Sequence, residues 1–499
     1  MTKLKLRRKW LWAVIATVVL GSLAHSIKLG NTLNEIHAFR QTQTAWTIRE
    51  FMSGNWDILS PLPILGPPWN LPFEFPLFQA FAAVLGNAFS LQPDFVARLA
   101  GLITFQVSAI LLTVLLSRWF SRKSALIALI LFQFLPFGIQ WGPSSLIEYT
   151  AIALLLGAVV CADNFSKGKS PVFYIFLSTL LLSLAFMVKG TTAIAWSLVF
   201  LAAILTPLPT LPSTWRWKLP AATLPLATGL VAGLLWTQFA EVERAKNPIA
   251  AELGAAALRE WYFGTVEQRL NPDSWIIIFS RLPTLGFSLA GFIIILLLAG
   301  TAQRWSLRLL GLVSVPVIAI GVFFNLYIVH DYYLNAVYPA LVSLIAIAVV
   351  FVQNRIADSR ARIGFITVAT VGILGISWTT PEGAKLAEIA RNATYNPSIS
   401  KIIQEEVPEG EAVLISGCDW DPTPLYYAER RGIMLPGWFQ GEIPLEWIGR
   451  EFNYIAFCGG AGDPATGDPG TLIDPQTWTW VETSLGLYRI IPKFGRDAT

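Results

Sequence analysis

The sequence contains few cysteines and few charged residues. Of its 499 residues only three are cysteines, and only 14% are Asp, Glu, Lys or Arg. Three cysteines exclude a scaffold built on disulfides, and their positions do not have the paired spacing of a zinc site. The sequence also lacks a P-loop and a glycine-rich dinucleotide fingerprint. A function therefore cannot be assigned from a common metal or nucleotide motif.

Apolar residues dominate the chain instead. Hydrophobic residues make up 54% of the sequence, and the mean hydropathy is +0.56. The chain is too long for one ordinary soluble domain, and its composition is typical of an all-α polytopic membrane protein. The net charge of +4 is not informative by itself, because the topology depends on which loops carry the basic residues. It does not predict a nucleic-acid partner.

The alternation of apolar runs and basic loops predicts a topology. Basic residues 3–9 precede a first apolar run, 10–27, which lacks a small-residue cleavage site and is therefore interpreted as a span with its N-terminus inside. Counting onward gives about eleven spans, and each short loop on the inner side is then basic. Residues 77–90 are too short for a span and predict an interfacial or re-entrant helix. Residues 240–275 predict amphipathic helices lying on the outer membrane surface.

The composition changes near Thr379, which predicts a transmembrane domain over 1–378 and a small extracytoplasmic α/β domain over 379–499. Within the second domain, 411–416 and 454–457 are predicted strands and 424–431 a short helix. Cys418 and Cys458 each follow one of these strands. If the strands are neighbours, the two thiols can approach disulfide distance; two buried free thiols are the alternative.

The predicted topology brings the unusual ionisable residues to the outer face. The first outer loop, 30–75, contributes several of them, and the ends of later spans contribute the others. Singly, each has a structural explanation, such as an acid at a helix N-terminus or a lysine that snorkels to the interface. Ionisable groups at membrane depth are costly and usually functional, so their convergence predicts a site. In chain order they are Glu35, His37, Arg40, Glu74, Glu148, Lys189, His330 and Asp331.

This set of side chains suits a particular chemistry. Two carboxylates, Glu35 and Glu148, can act as a general base and an orienting acid for an acceptor hydroxyl. Arg40 and Lys189 can hold a phosphate leaving group and stabilise its developing charge. A phosphate at a membrane interface suggests a lipid-phosphate carrier. A phosphate or a sugar can also form hydrogen bonds with His330, Tyr332 and Tyr333.

Several short motifs resemble those of one superfamily. In chain order they are Asn34-Glu35-Ile36-His37-Ala38-Phe39 with its continuation Arg40-Gln41-Thr42-Gln43-Thr44-Ala45, then Glu74-Phe75-Pro76-Leu77, Glu148, Val188-Lys189-Gly190-Thr191 and His330-Asp331-Tyr332-Tyr333-Leu334. Their order and sidedness resemble the GT-C superfamily of glycosyltransferases that use polyprenyl-phosphate-sugar donors. The protein O-mannosyltransferases and the lipid A aminoarabinose transferases are the most similar group. The resemblance covers roughly residues 10–350.

The chain departs from the pattern of that group at three positions. The usual Asp-Glu pair is Asn34-Glu35, which leaves open which member of the pair is the base. Glu148 stands where the group has Asp. Glu74 stands where the group has the phosphate-binding lysine of a Lys-Pro-Pro motif, so Arg40 or Lys189 would have to bind more of the phosphate.

The resemblance implies an activity. It implies the inverting transfer of a hexose, such as mannose, from a polyprenyl-phosphate donor to a glycan, lipid or protein acceptor at the outer face of a cytoplasmic (inner) cell membrane. We expect no cofactor, because many members need no metal. The alternative is a divalent cation bound by the side chains Glu35, His37, His330 and Asp331.

Two other functions remain as alternatives. The first is a transporter or flippase of lipid-linked sugars, for which charges near the middle of the membrane and repeated halves are typical. The second is a non-catalytic membrane scaffold whose soluble domain binds a partner, and such a protein would not depend on Glu35 or Glu148.

The topology predicts a labelling pattern in intact cells. In a background without the native cysteines, Asp468→Cys should react with a membrane-impermeant thiol reagent, because residues after about Thr379 are expected outside. Lys167→Cys should react only after the cells are permeabilised, because its basic loop is expected inside. The reverse pattern would contradict both the topology and the outer-face site.

Overall fold

The computed structural model describes residues 2–59, 61–167, 170–206, 215–254, 257–287, 306–381, 383–385, 397–459 and 462–493. These residues form two compact units, each assembled from three stretches of chain. The first unit comprises 1–30, 98–236 and 258–391, and the second comprises 31–97, 237–257 and 392–499. The division by contacts therefore groups the predicted first outer loop with the C-terminal residues.

Most of the described chain is helical, and the strands lie near its C-terminus. The helices are α1 (Thr2–Ser26), α2 (Ala38–Met52), α3 (Leu77–Phe89), α4 (Pro93–Trp119), α5 (Arg122–Phe134), α6 (Pro136–Trp141), α7 (Glu148–Ser166), α8 (Pro171–Leu205), α9 (Trp215–Arg244), α10 (Pro248–Ala251), α11 (Arg259–Phe263), α12 (Val266–Leu270), α13 (Pro272–Arg281), α14 (Leu307–Val322), α15 (Phe324–Val329), α16 (Tyr338–Gln353), α17 (Ser359–Trp378), α18 (Ser398–Glu406) and α19 (Thr423–Ala428). The strands are β1 (Val413–Ser416), β2 (Gly432–Leu435), β3 (Tyr454–Phe457), β4 (Trp478–Ser484) and β5 (Leu487–Pro492). Short 3-10 helices include Leu282–Leu285 and Asp331–Ala336.

Six helices among the described residues are long and apolar enough to cross a membrane. They are Arg8–Ser26, Pro93–Trp119, Glu148–Ser166, Val172–Leu205, Thr223–Arg244 and Ser359–Trp378. Three shorter apolar helices, α3, α14 and α16, have 10–17 residues. The expected count of about eleven spans is thus not confirmed.

The apolar run from Trp275 to about Gly300 is counted as one of the eleven predicted spans, and the structure differs from this prediction in its first half. Helix α13 begins at Pro272 and ends at Arg281, and a 3-10 turn then leads to Gly286, whose φ of 76° lies in the left-handed region. A glycine adopts this conformation without steric cost and so ends the helical turn here. The second half of the predicted span, 288–305, lies outside the described residues.

Contacts at one end of the first unit join residues that the sequence placed inside. The indole N–H of Trp10 donates to the carbonyl of Arg122 at 3.1 Å. The Lys123 ammonium donates to the side-chain oxygen of Gln353 at 3.2 Å. The start of α1, the start of α5 and the end of α16 therefore meet at this end of the helices.

Contacts at the opposite end join residues at or near the span ends that the sequence predicts on the outer side. Lys28, which is 1% exposed, donates to the side-chain oxygen of Gln140 at 3.0 Å. The indole N–H of Trp378 donates to the carbonyl of Phe134 at 2.9 Å. These helices therefore run alternately between two ends, which is the up-and-down arrangement that a polytopic bundle needs.

A buried carboxylate gathers three cations at the first of these ends. Asp163, near the end of α7, is fully buried. Lys167, Arg118 and Arg308 lie 2.6 Å, 3.3 Å and 3.5 Å from it, and the indole N–H of Trp119 donates to it at 3.0 Å. Because these residues belong to three different helices and the loop after α7, this carboxylate ties α4, α7 and α14 together.

The second unit contains a five-stranded mixed sheet in the order β2-β1-β3-β5-β4. Strand β1 pairs in parallel with both β2 and β3, and β5 pairs antiparallel with β3 and β4. Strands β1 and β3 and helix α19 agree with the predicted strands and short helix to within a few residues. The predicted small C-terminal sheet is therefore confirmed, although β2, β4 and β5 were not predicted.

Residues of the predicted first outer loop complete this sheet. Backbone N–H groups of Gly432 and Met434 in the edge strand β2 donate to the carbonyls of Pro63 and Ile64, at 3.0 Å and 2.7 Å. An edge strand with unpaired backbone groups invites aggregation, and chain that covers it removes this hazard. Residues more than 360 positions apart in sequence therefore belong to one folded unit.

The structure also joins two of the three cysteines. Because β1 and β3 are parallel neighbours, the residues just beyond their ends lie side by side. Cys418 and Cys458 form a disulfide with a Cα–Cα distance of 5.7 Å, which is ordinary for such a bond. The pairing expected for neighbouring strands is therefore present, and Cys161 is a buried free cysteine.

The Asp163 cluster predicts a loss of stability in a charge-removing variant. Asp163→Asn keeps the size of the side chain but leaves three cations facing one another, so we expect a destabilisation of about 3 kcal/mol. Thermal unfolding of the purified full chain in detergent measures this change. The matched control is Glu252→Gln, which removes an exposed carboxylate and should leave the melting temperature unchanged. Equal melting temperatures of all three proteins would contradict a structural role of the cluster.

Candidate active site

Lys189 interrupts helix α8. Its φ of −156° and ψ of 83° are not helical, although the segments before and after it are. The range Pro171–Leu205 joins two helices across a kink at this residue, which agrees with the turn between two apolar runs that the sequence predicts here. Before the break α8 packs antiparallel to α7, since Ser178 approaches Ala158 at 3.5 Å and Lys189 returns to the start of α7.

At that point Lys189 forms a buried ion pair with Glu148. The ammonium nitrogen lies 3.2 Å from Oε1 of Glu148, and the side chains are only 7% and 1% exposed. Glu148 is the first residue of α7, where the helix dipole stabilises a negative charge. Among the described residues no group donates a well-aligned hydrogen bond to either carboxylate oxygen. The carboxylate can therefore accept hydrogen bonds from a bound molecule.

An aromatic group lies next to this ion pair. The Lys189 ammonium is 5.1 Å from the centroid of the Tyr333 ring, a cation–π distance. The rings of Tyr332 and Tyr333 are 4.6 Å apart, and His330 stacks on Tyr332 at 5.2 Å. The first unit thus brings together five of the predicted site residues. Asp331 belongs to the same 3-10 segment and interacts electrostatically with Arg281.

One buried residue beside this cluster was not predicted. Asn335 follows Tyr333 in the same 3-10 helix and is fully buried. Its amide nitrogen and oxygen have no hydrogen-bond partner among the described residues. Buried amides are normally satisfied, so Asn335 has both a donor and an acceptor to offer to a ligand. A single asparagine in an apolar run carries no sequence signal that would distinguish it.

The second unit contains the other predicted residues. Arg40, in the first turn of α2, forms a salt bridge with Glu74 and donates a hydrogen bond to Gln43. The side chains of Arg40 and Glu74 are 12% and 26% exposed. Glu74 therefore neutralises Arg40 at the position where the resembling group has a lysine. Both side chains line a small open pocket together with Gln43, Thr44, Thr47, Leu62, Leu71, Phe73 and Gln79.

Glu35 and His37 form the entry to α2. The side-chain amide of Gln41 donates to Oε1 of Glu35 at 3.2 Å, which fixes the carboxylate over the first turn of the helix. His37 has φ 54° and ψ 41°, in the left-handed region that non-glycine residues seldom adopt. Such strained residues cluster at functional sites. The structure thus holds the conspicuous 34–41 motif as an ordered corner.

Three contact residues of this corner were missed. Asp94 accepts hydrogen bonds from the hydroxyls of Tyr426 at 2.6 Å and Tyr427 at 2.9 Å. Burial and the charge of Asp94 raise the pKa of both phenols, so both remain protonated donors. The hydroxyl of Tyr427 also accepts a hydrogen bond from the N–H of Leu33 at 2.7 Å. These tyrosines lie more than 300 positions from their partners, and a single sequence carries no signal for such a pairing.

Within the described residues, no group of three or more His, Cys, Asp or Glu side chains could hold a metal ion. Glu35, His37, His330 and Asp331, the residues of the alternative cation site, are all among the described residues and form no such group.

Comparison with known proteins gives the class of fold. No protein-family model and no curated protein sequence matches the chain. The solved structure of ArnT from Cupriavidus metallidurans bound to undecaprenyl phosphate matches with a TM-score of 0.58 and 15% identity, over 97% of this chain and 98% of that one. The archaeal oligosaccharyltransferase AglB from Archaeoglobus fulgidus, in complex with an inhibitory peptide and a dolichol-phosphate, matches with a TM-score of 0.55 and 15% identity. That match covers 89% of this chain and 69% of the other.

ArnT and AglB are both GT-C proteins. The chain shares their fold, so the resemblance to this superfamily that the motifs indicated is confirmed for the fold. At 15% identity the comparison does not extend to residue roles.

The Glu148–Lys189 pair predicts a strong thermodynamic coupling. Glu148→Gln leaves a buried ammonium without its counter-charge, and Lys189→Met leaves a buried carboxylate, so each should destabilise the protein by about 3 kcal/mol. The double variant should recover part of the loss, because a neutral, well-packed pair avoids the cost of desolvation. Melting temperatures of the wild type, the two single variants and the double variant complete a double-mutant cycle. Strictly additive losses would show that the two side chains do not interact.

Proposed function

We propose that the chain is an integral-membrane glycosyltransferase that moves a sugar from a polyprenyl-phosphate donor to an acceptor at the outer face of the cytoplasmic membrane. The observation that supports this most is the buried Glu148–Lys189 pair beside Tyr333. A buried cation with a partly unsatisfied carboxylate suits a reaction in which a phosphate leaves and a hydroxyl attacks.

The lipid-phosphate class of donor is supported by the shared fold. ArnT was solved with undecaprenyl phosphate, and AglB with a dolichol-phosphate. Both ligands are polyprenyl-type phosphates, and we extend this class of ligand to the present chain. The sugar would be a hexose such as mannose, and the acceptor a glycan, a lipid or a protein.

The position of the charges favours a transferase over a transporter. Helix α7 has Glu148 at its first turn and Asp163 in its last turn, so its two acids lie at the ends of the span. Transporters of charged or lipid-linked substrates typically place such groups near the middle of the membrane, at broken helices. Helix α8 is broken at Lys189, but the contact with Glu148 brings this break to the end of α7.

The proposed reaction is a single displacement. An acceptor hydroxyl attacks C1 of the donor sugar, the bond from C1 to the phosphate oxygen breaks, and its electron pair leaves with the polyprenyl phosphate. The hydroxyl proton passes to a carboxylate, for which Glu35 is the proposed base and Glu148 the alternative. One displacement at C1 inverts the anomeric configuration.

Each cationic residue has a role that follows from its surroundings. Lys189 lies in a poorly hydrated place, where a charge-assisted hydrogen bond to phosphate is stronger than at the surface. It can bind a phosphate oxygen while it remains paired with Glu148. Arg40 is paired with Glu74 in the second unit, and its planar guanidinium suits a bidentate contact to an anionic or hydroxyl-rich ligand. We assign Lys189 to the donor phosphate and Arg40 to a supporting contact.

The proposal predicts two different defects. Glu35→Gln keeps the shape of the side chain but cannot take up a proton, so the transfer rate should fall by about 10²–10⁴-fold, while the donor still binds. Lys189→Ala should instead weaken donor binding, and Lys189→Arg should retain part of it because the charge remains. The measurement uses the purified full chain in lipid nanodiscs with undecaprenyl-phosphate-mannose and a membrane extract that supplies acceptors. Release of undecaprenyl phosphate gives the rate.

Glu252→Gln serves as the control for expression and folding. If Glu35→Gln and Glu148→Gln both transfer sugar at the wild-type rate, the assignment of the catalytic carboxylates is wrong. If the unmodified protein binds the lipid donor and moves it across the bilayer without releasing sugar, the transporter alternative replaces the proposal.

A further inference from the structure

The loop 417–422, between β1 and α19, is held firmly at both ends. Its second residue, Cys418, is bonded to Cys458. Near its other end Asp421 accepts hydrogen bonds from the N–H and the hydroxyl of Thr423, at 2.9 Å and 2.5 Å. Asp419 has a φ of 52°, in the left-handed region that an L residue rarely adopts. A covalent link, a local turn and a strained residue within six positions indicate a loop built to hold one conformation.

This loop presents Trp420 to two phenylalanines of the first outer loop. The Trp420 ring centroid lies 5.9 Å from that of Phe73 and 6.5 Å from that of Phe39. Both ring pairs are tilted by 51°, so neither phenylalanine covers the indole by parallel stacking. All three side chains are partly exposed. We call these three rings the Trp420 platform.

The indole of Trp420 has hydrogen-bonding capacity left. Within the described residues its N–H donates to no protein acceptor. Tryptophan N–H groups usually find a partner once they are removed from water. A ligand that covers this ring would therefore gain by offering an acceptor oxygen at its edge.

Polar side chains adjoin the platform. Phe73 lines the same small pocket as Arg40, Glu74 and Gln79, and together these three supply donors and acceptors. Pyranose rings combine an apolar face of C–H groups with a rim of hydroxyls. An aromatic face beside a few fixed polar groups is the arrangement that such a ligand requires.

We propose that the Trp420 platform binds a pyranose ring, with the indole against the C–H face of the sugar and Arg40 and Glu74 at its hydroxyls. The choice of a sugar as the ligand rests on the proposed function. The sugar can belong to the lipid-linked donor or to a glycan acceptor, since both offer the same ring chemistry. The C-terminal domain would then contribute directly to substrate recognition.

The test is a direct binding measurement that does not need catalysis. Saturation-transfer NMR on the purified full chain in detergent uses methyl α-mannopyranoside as the probe and mannitol as an acyclic polyol without a ring face. The wild type should bind the mannoside and not mannitol. Trp420→Ala should weaken mannoside binding by about tenfold, because the stacking surface is lost, whereas Trp420→Phe should retain most of it.

Trp56→Ala is the matched control, because it removes another tryptophan of the second unit, one that is 50% exposed and stacks on Phe51 at 5.0 Å. Replacement of both Cys418 and Cys458 by Ser should also weaken mannoside binding, since the loop would lose one of its anchors. Binding by the two Trp420 variants and the disulfide variant is compared only where their melting curves show that the proteins are folded. Unchanged binding in Trp420→Ala, or equal losses in Trp420→Ala and Trp56→Ala, would overturn the proposal.

Further measurements identify the source of the sugar and separate this inference from the proposed function. If undecaprenyl-phosphate-mannose displaces the mannoside, the platform binds the donor sugar; if it binds without displacing the mannoside, the platform binds the acceptor. If the wild type transfers sugar and Trp420→Ala still binds the mannoside and transfers sugar normally, the proposed function holds and the Trp420 platform is not a sugar site. If the wild type binds the mannoside through Trp420 but releases no undecaprenyl phosphate, the Trp420 platform is a sugar site and the proposed function is wrong.

Discussion

The buried contact between Lys189 and Glu148 determines how the centre of the first unit must fold. An ammonium and a carboxylate at 7% and 1% exposure are tolerated only when they are paired, because desolvation of either charge alone costs several kcal/mol. The pair therefore fixes the register between α7 and the first part of α8. It also fixes the break in α8, since a continuous helical residue would direct the lysine side chain differently. Tyr333, beside the ammonium, adds a cation–π contact from a third segment.

Asp163 imposes a second constraint of the same kind at the other end of α7. Its carboxylate is shared by cations from α4, from the loop after α7 and from α14. A helix with a paired acid at each end cannot slide along its neighbours without exposing one of these acids or burying it unpaired. The two ends are nevertheless different. Asp163 has three cations and the indole N–H of Trp119 around it, whereas among the described residues Glu148 pairs with one cation and its oxygens lack aligned donors. The first arrangement is suited to stability, and the second is suited to binding.

Simple physical rules account for what could be predicted from the sequence. The basic loops and the lengths of the apolar runs were sufficient to bring Glu148, Lys189, His330, Tyr332 and Tyr333 to one end of the helices, because positive charges stay on the inner side and a span has a nearly fixed length. Strands β1 and β3 were predicted because their continuous apolar runs are typical of buried parallel strands. Strand β4 was missed, because its mostly exposed residues give neither a continuous apolar run nor a clean alternation. The pairing of Asp94 with Tyr426, 332 positions away, leaves no local pattern at all.

The grouping of the chain was the least predictable feature, and it changes the meaning of the C-terminal domain. Composition suggested a boundary near Thr379, whereas contacts join 31–97 to 392–499 in one unit. The edge of the sheet is completed by residues 63–65, and Asp94 is held by two tyrosines of α19. The conspicuous 34–41 motif is therefore shaped by residues from the far end of the chain as much as by its own neighbours. A sheet whose edge is completed by residues 63–65 is not an independent appendage. This dependence is the physical reason why Trp420, rather than a residue of the loop itself, can complete a binding surface beside Arg40 and Glu74.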